Sequence, residues 1–255
     1  MVKTLYSEQL GAGPELVMLH GWGMSSAVWV PLVPDLSQYF HLTLVDLPGH
    51  GRSAGYSPDT LPEIVDALSR VTPDKASWLG WSLGGMLATA FAARFPRRIN
   101  ALVLVASTPR FVAGNGWPAA MPVEVFTRFV DSFAVDATSA LKRFVALQFA
   151  GSDASRGSIR QLQSEVVNLG SPKSALLNGL SLLGSLDLRE EYAGLKCPIL
   201  SILGECDRLV PFGVGCDMQA INARTQLEIL PQAGHLPFMT HSQQFLASLE
   251  SFLNG

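Results

Sequence analysis

Ser77-Trp78-Leu79-Gly80-Trp81-Ser82-Leu83-Gly84-Gly85, continued by the Ala-rich run 86–94, is the stretch on which the reading of this chain turns. A short apolar run meets a tight Gly-x-Ser-x-Gly turn and then a segment with helical spacing, which Pro96 stops. The glycines have a physical reason. A serine at the apex of so sharp a strand-to-helix turn takes an unfavourable backbone conformation, and small neighbours at Gly80 and Gly84 let the chain pass close to itself. The turn would leave the Ser82 hydroxyl at a helix N-terminus, where backbone N–H groups favour developing negative charge. The five-residue pattern by itself also fits an ordinary Gly-rich turn; its place between strand and helix distinguishes the two.

Outward from this turn, short apolar runs alternate with helical patterns. Residues 16–19, 42–45, 77–79, 102–105, 199–203 and 227–230 read as buried strands, and 62–70, 83–94 and 243–253 as helices. This alternation predicts an α/β fold with a mostly parallel sheet flanked by helices. The rhythm breaks at 111–185, where four helical patterns (123–133, 138–149, 155–169 and 174–183) follow one another without a strand. The expected organisation is a core of 1–110 and 186–255 with a helical lid, 111–185, inserted between core strands.

Three further segments follow predicted strands. His20-Gly21-Trp22-Gly23 follows the first, and in such an architecture the backbone N–H groups of Trp22 and Leu83 form an oxyanion hole. Gly204-Glu205-Cys206-Asp207 offers a loop carboxylate; Asp207 is preferred, with Glu205 a rival two residues away. Gly234-His235-Leu236 follows the last strand. The order Ser82, Asp207, His235 suits a nucleophile, an orienting acid and a general base. His20 reads as a structural hydrogen-bonding residue and His50, within Gly49-His50-Gly51-Arg52-Ser53, as part of a structural turn.

With 255 residues, 48% hydrophobic and 15% charged, the chain has material for a sizeable core. A net charge of −3 argues against nucleic acid as a partner, and no apolar run approaches the ~20 residues needed to span a membrane. Residues 1–10 lack a signal-peptide pattern, and Cys197, Cys206 and Cys216 read as reduced thiols, so a cytoplasmic location is expected. Neither a metal-ligand cluster nor a phosphate-binding loop is present, so no metal or organic cofactor is called for. Monomer is the default.

The strings His20-Gly21-Trp22-Gly23, Leu44-Val45-Asp46-Leu47-Pro48-Gly49 and Gly80-Trp81-Ser82-Leu83-Gly84-Gly85 resemble the α/β-hydrolase superfamily. With Arg143-Phe144-Val145-Ala146-Leu147-Gln148 and Asp187-Leu188-Arg189, the chain resembles more narrowly the pimeloyl-[acyl-carrier-protein] methyl ester esterases of biotin biosynthesis, almost end to end. The resemblance implies the α/β-hydrolase fold, a carrier-bound methyl ester as substrate and an acylated acyl carrier protein as partner. It further implies substrate contacts from Trp22, Ser82, Leu83, Phe144, Val145, Ala146, Leu147, Gln148 and His235. Acyl carrier proteins are acidic, so Arg143, Arg156 and Arg160 are candidate docking residues. Residues 111–185 carry a net charge of +1 against −4 for the rest, although Ser139 stands where the family pattern has a further arginine. A solvated helix face accounts for these charges equally well. Three other functions remain open from the residues: a broad short-chain carboxylesterase, a carbon–carbon bond hydrolase, and a ligand receptor that turns over slowly on a hydrolase scaffold. A dehalogenase is disfavoured, because its nucleophile would be Asp where Ser82 stands.

Overall fold

The structure, a computed structural model, describes residues 4–56, 58, 60–152 and 156–254. Residues 1–3 of the N-terminal reading and Ser155, the expected start of the third inserted helix, lie outside them. The described strands are β1 (Ser7–Gly11), β2 (Glu15–Leu19), β3 (His41–Val45), β4 (Ala76–Trp81), β5 (Ile99–Val105), β6 (Ile199–Gly204) and β7 (Thr225–Leu230). They form one sheet in the order β1-β3-β2-β4-β5-β6-β7. Only β1, at the edge, runs antiparallel, against β3; the other pairs are parallel. The six predicted strands are the six parallel ones. Their side chains are buried on both faces over most of the sheet, hence the unbroken apolar runs. Strand β1, Ser-Glu-Gln-Leu-Gly, is not anticipated because an edge strand is only half covered and carries no such run.

The described helices are α1 (Val33–Leu36), α2 (Leu61–Val71), α3 (Leu83–Arg94), α4 (Val123–Val135), α5 (Ala137–Gln148), α6 (Arg156–Asn168), α7 (Lys173–Ser185), α8 (Arg189–Gly194), α9 (Val214–Ile221), α10 (Pro237–Thr240) and α11 (Ser242–Asn254). Helix α2 starts at a reciprocal cap: Thr60 Oγ1 accepts the Glu63 N–H and the Glu63 carboxylate accepts the Thr60 N–H. Helix α3 is apolar all round and buried from Leu83 to Ala92, as a helix enclosed by its neighbours must be.

Helices α4 to α7 make up the insertion between β5 and β6. Its two ends are tied together. Asp187 accepts from Arg110 Nη1 at 2.5 Å and from Arg189 Nη2 at 2.6 Å, while Leu188 N donates to Pro109 O at 2.9 Å. The hydrogen bond from Arg189, reinforced by Arg110 and opposed by partial burial, holds the Asp187 carboxyl down to about 2 from its usual 3.8. A depressed carboxyl stabilises the fold above its unfolded value and loses that contribution as pH falls through the folded one. The thermal midpoint of Asp187→Asn should therefore lie below wild type at pH 5 and above, and the gap should close between about pH 4 and 2.

Candidate active site

Because the strands are parallel, the loops at their C-terminal ends gather along one edge of the sheet, where sites of open α/β sheets form. Register aligns Leu19 with Gly80, Trp81 with Val105, Val105 with Ile202 and Gly204 with Leu230. The segments beginning at His20, Ser82, Ala106 and Glu205 consequently leave the sheet side by side.

Ser82 stands between β4 and α3 with φ 54° and ψ −120°, a region that non-glycine residues rarely occupy and that costs on the order of 1–3 kcal/mol. Surrounding contacts fix it there. Ser82 N donates to Val105 O at 2.9 Å, and Ser107 Oγ donates to Ser82 O at 2.7 Å. A Cβ on Gly80 would sit 2.5 Å from Gly84 O, and one on Gly84 would sit 2.5 Å from Leu19 O, so any side chain at either position would force the turn open. Ser107 is a supporting residue that the sequence did not signal, since a lone serine after a strand carries no pattern.

Asp207 and His235 come together across 28 positions of chain. His235 Nδ1 and Asp207 Oδ2 are 2.7 Å apart, with both side chains buried. Asp207 Oδ1 accepts from the N–H groups of Leu209 (2.7 Å) and Val210 (3.0 Å), so both carboxylate oxygens are committed. A carboxylate can only accept, so Nδ1 carries the proton and the lone pair of neutral His235 lies on Nε2. That Nε2 is buried and without a hydrogen-bond partner among the described residues. A buried basic nitrogen left open is costly unless something is to fill it. Glu205, the rival acid, points elsewhere: its Oε2 accepts the Gln232 N–H at 3.0 Å and supports that residue at φ 60°.

The loop after β2 lies against the serine, since a Cβ on Gly21 would stand 3.2 Å from Ser82 Cβ. His20, fully buried, lies 2.8 Å through Nδ1 from Gly21 O and accepts the Leu47 N–H on Nε2 at 2.9 Å. Burial, with His50 beside it, pushes His20 down to about 3, so it is a neutral link in this loop and not a base. The Trp22 N–H donates to no backbone or side-chain group among the described residues. Leu83, the first residue of α3, has no intrahelical acceptor for its own N–H.

The Trp22 side chain reaches into the insertion. Its Nε1 donates to Leu176 O at 2.8 Å, and its ring meets Phe129, Phe133 and Phe144 edge to face at centroid distances of 5.0–5.7 Å. Such contacts are worth roughly 0.5–1.5 kcal/mol each beyond the area they bury. A small cavity of about 60 Å³ opens beside this cluster, lined only by apolar side chains, including Phe144, Leu147 and Leu209. The other members of the 144–148 segment point differently, because consecutive helical residues fan out by about 100° each. Val145 is buried and does not line this cavity, while Ala146 is exposed. Gln148 is fully buried with neither side-chain amide atom paired among the described residues, and its backbone carbonyl accepts the His235 N–H at 2.9 Å.

Arg143 on α5 and Arg156 and Arg160 on α6 are all exposed. The two helices pack together, with Gln163 Nε2 donating to Lys142 O at 2.7 Å, and the Arg143 guanidinium donates to Ser132 Oγ. The three cysteines are free, and no helix among the described residues is long and apolar enough to cross a membrane.

A family model described as the alpha/beta hydrolase family matches residues 16–248. The chain belongs to this family. Among its relatives in the alpha/beta hydrolase family, the pimeloyl-[acyl-carrier protein] methyl ester esterase of Vibrio campbellii is 40% identical over 253 residues, covering 99% of each chain. The protein of the same name from Edwardsiella ictaluri is 41% identical over 256 residues, covering 100% of this chain and 99% of its own. A solved bromoperoxidase from Bacillus anthracis superposes with a TM-score of 0.91 at 21% identity, covering 98% of this chain and 95% of its own, a likeness of fold alone.

Proposed function

We propose that the protein is a serine carboxylesterase that demethylates pimeloyl-[acyl-carrier-protein] methyl ester in biotin biosynthesis. The observation that carries the esterase reading is the open, buried Nε2 of His235, with Nδ1 held 2.7 Å from Asp207, on the same sheet edge as the strained Ser82. The substrate follows from the full-length likeness to esterases of that name. In this reading His235 Nε2 takes the Ser82 proton as Oγ attacks the ester carbonyl carbon. The oxyanion is stabilised by the N–H groups of Trp22 and Leu83, typically worth ~3 kcal/mol each. Collapse of this intermediate expels methoxide, which takes the proton from His235 and leaves as methanol. Water then attacks the acyl-enzyme by the same route and frees the carboxylate and Ser82.

Residues 111–185 act as a lid over a core of 1–110 and 186–255, and the apolar cavity beside Trp22 and Phe144 receives methylene groups of the acyl chain. An apolar lining suits those methylene groups, which lose contact with water there. The test is methanol release by the wild type from the carrier-linked methyl ester, set against cleavage of short aryl esters. Rapid methanol release supports the assignment; aryl ester cleavage without it would leave only a general esterase.

Arg143, Arg156 and Arg160 guide the acidic carrier onto α5 and α6. Reversing all three to glutamate should lower kcat/KM for the carrier-linked ester at least about tenfold at low salt, with the difference shrinking as salt rises. Cleavage of an uncharged aryl ester should hardly change. Equal losses on both substrates would indicate damage to the lid and not to docking.

A further inference from the structure

His235 is gripped by its backbone as well as by its imidazole. Its N–H donates to Gln148 O at the end of α5, and its C=O accepts from Trp81 Nε1 at 2.8 Å. Trp81 is the residue immediately before Ser82. Its buried ring lies 5.6 Å from the imidazole centroid and packs on Phe238 at 5.3 Å and Trp29 at 6.4 Å. His235 sits in the loop between β7 and α10, where no strand ladder or helix fixes its peptides. The indole N–H is thus the one side-chain donor to the His235 carbonyl among the described residues.

We propose that Trp81 is a positioning residue, whose indole N–H ties the His235 peptide to the Ser82 turn and so sets the imidazole at working distance from the nucleophile. The role rests on the triad reading of this site. The bond links the two loops by the shortest route available, because one partner adjoins the serine and the other is the histidine itself. Without the N–H, the buried carbonyl of His235 lacks a donor, and its peptide must turn to find one. Misplacement of a reacting group by about 1 Å is enough to cost 10²-fold in rate.

Trp29 supplies a matched control. It is equally buried in the same aromatic cluster, packing on Trp81 and on Phe238 at 4.6 Å, yet its Nε1 has no partner among the described residues. Trp29→Phe therefore removes an indole N–H without removing a bond. With a short aryl ester, Trp81→Phe should lower kcat on the order of 10- to 100-fold while KM stays within about twofold. The low-field Nδ1 proton resonance of His235 should also shift. Trp29→Phe should leave kcat and that resonance near wild type. An unimpaired Trp81→Phe, or equal losses in both variants, would overturn the proposal. Hydrogen exchange in the wild type tests it without any variant: the Trp81 indole proton must be strongly protected, and exchange at a solvent-exposed rate would overturn the proposal too. In the same assay an active Ser82→Ala would remove the triad reading underneath, whereas an inactive Ser82→Ala beside an unimpaired Trp81→Phe removes only the role of Trp81.

Discussion

Replacing Ser82 by alanine should lower the rate of ester hydrolysis by about 10⁶-fold, with residual turnover carried by the oxyanion donors and substrate binding. The loss should be one of chemistry and not of folding. Ser82 Oγ makes no hydrogen bond among the described residues, and the contacts that hold the turn come from the Ser82 backbone N–H and C=O. Alanine keeps the Cβ, and with it the same backbone strain at φ 54°. The thermal midpoint should accordingly stay close to wild type while methanol release and aryl ester cleavage both disappear. Retention of even a tenth of wild-type kcat would rule out Ser82 as the nucleophile.

Asp207→Asn should cost about 10⁴-fold in kcat, for a reason visible in the hydrogen bonds. Asp207 Oδ1 accepts two backbone N–H groups, from Leu209 and Val210, which will hold the carbonyl oxygen of an asparagine amide in the same place. The amide NH₂ must then face His235 Nδ1, where a carboxylate oxygen now lies 2.7 Å away. A donor in that position requires Nδ1 to accept, so the imidazole proton moves to Nε2 and the base is lost. The change is nearly isosteric, and the fold should survive it. Steady-state kinetics on a short ester will check this, with Glu205→Gln as the comparison. That carboxylate supports Gln232 and does not reach His235, so its loss should change kcat little. Full activity in Asp207→Asn would remove Asp207 from the orienting role.

The local elements were legible because each has a local cause. Parallel strands buried on both faces must be largely apolar, and β2 to β6 could be read from that alone, whereas β7, at the other edge and partly exposed, showed only in the mostly apolar stretch 227–230. The serine turn was legible because Gly80 and Gly84 have no room for a Cβ. The edge strand β1 was not, since half of its surface faces solvent and its composition is that of a loop. The short helices α8 and α9 were missed because two turns carry too little periodicity to stand out.

The sequence by itself determined which residues lie at the C-terminal ends of the strands, and in what order a serine, a carboxylate and a histidine reach that edge. It also supplied the family likeness that points to a substrate. Only the tertiary structure decided which carboxylate meets His235, because Glu205 and Asp207 stand two residues apart on one loop, and the fold turns Asp207 to His235 and Glu205 to the Gln232 N–H. It likewise decided that Phe144 and Leu147 line the apolar cavity while Val145 and Ala146 do not. Trp81 and the Gln148 carbonyl converge on one residue, His235, although they lie 67 positions apart in the chain. Such contacts have no local signature, because a hydrogen bond between distant segments depends on where the sheet register and helix packing leave each atom.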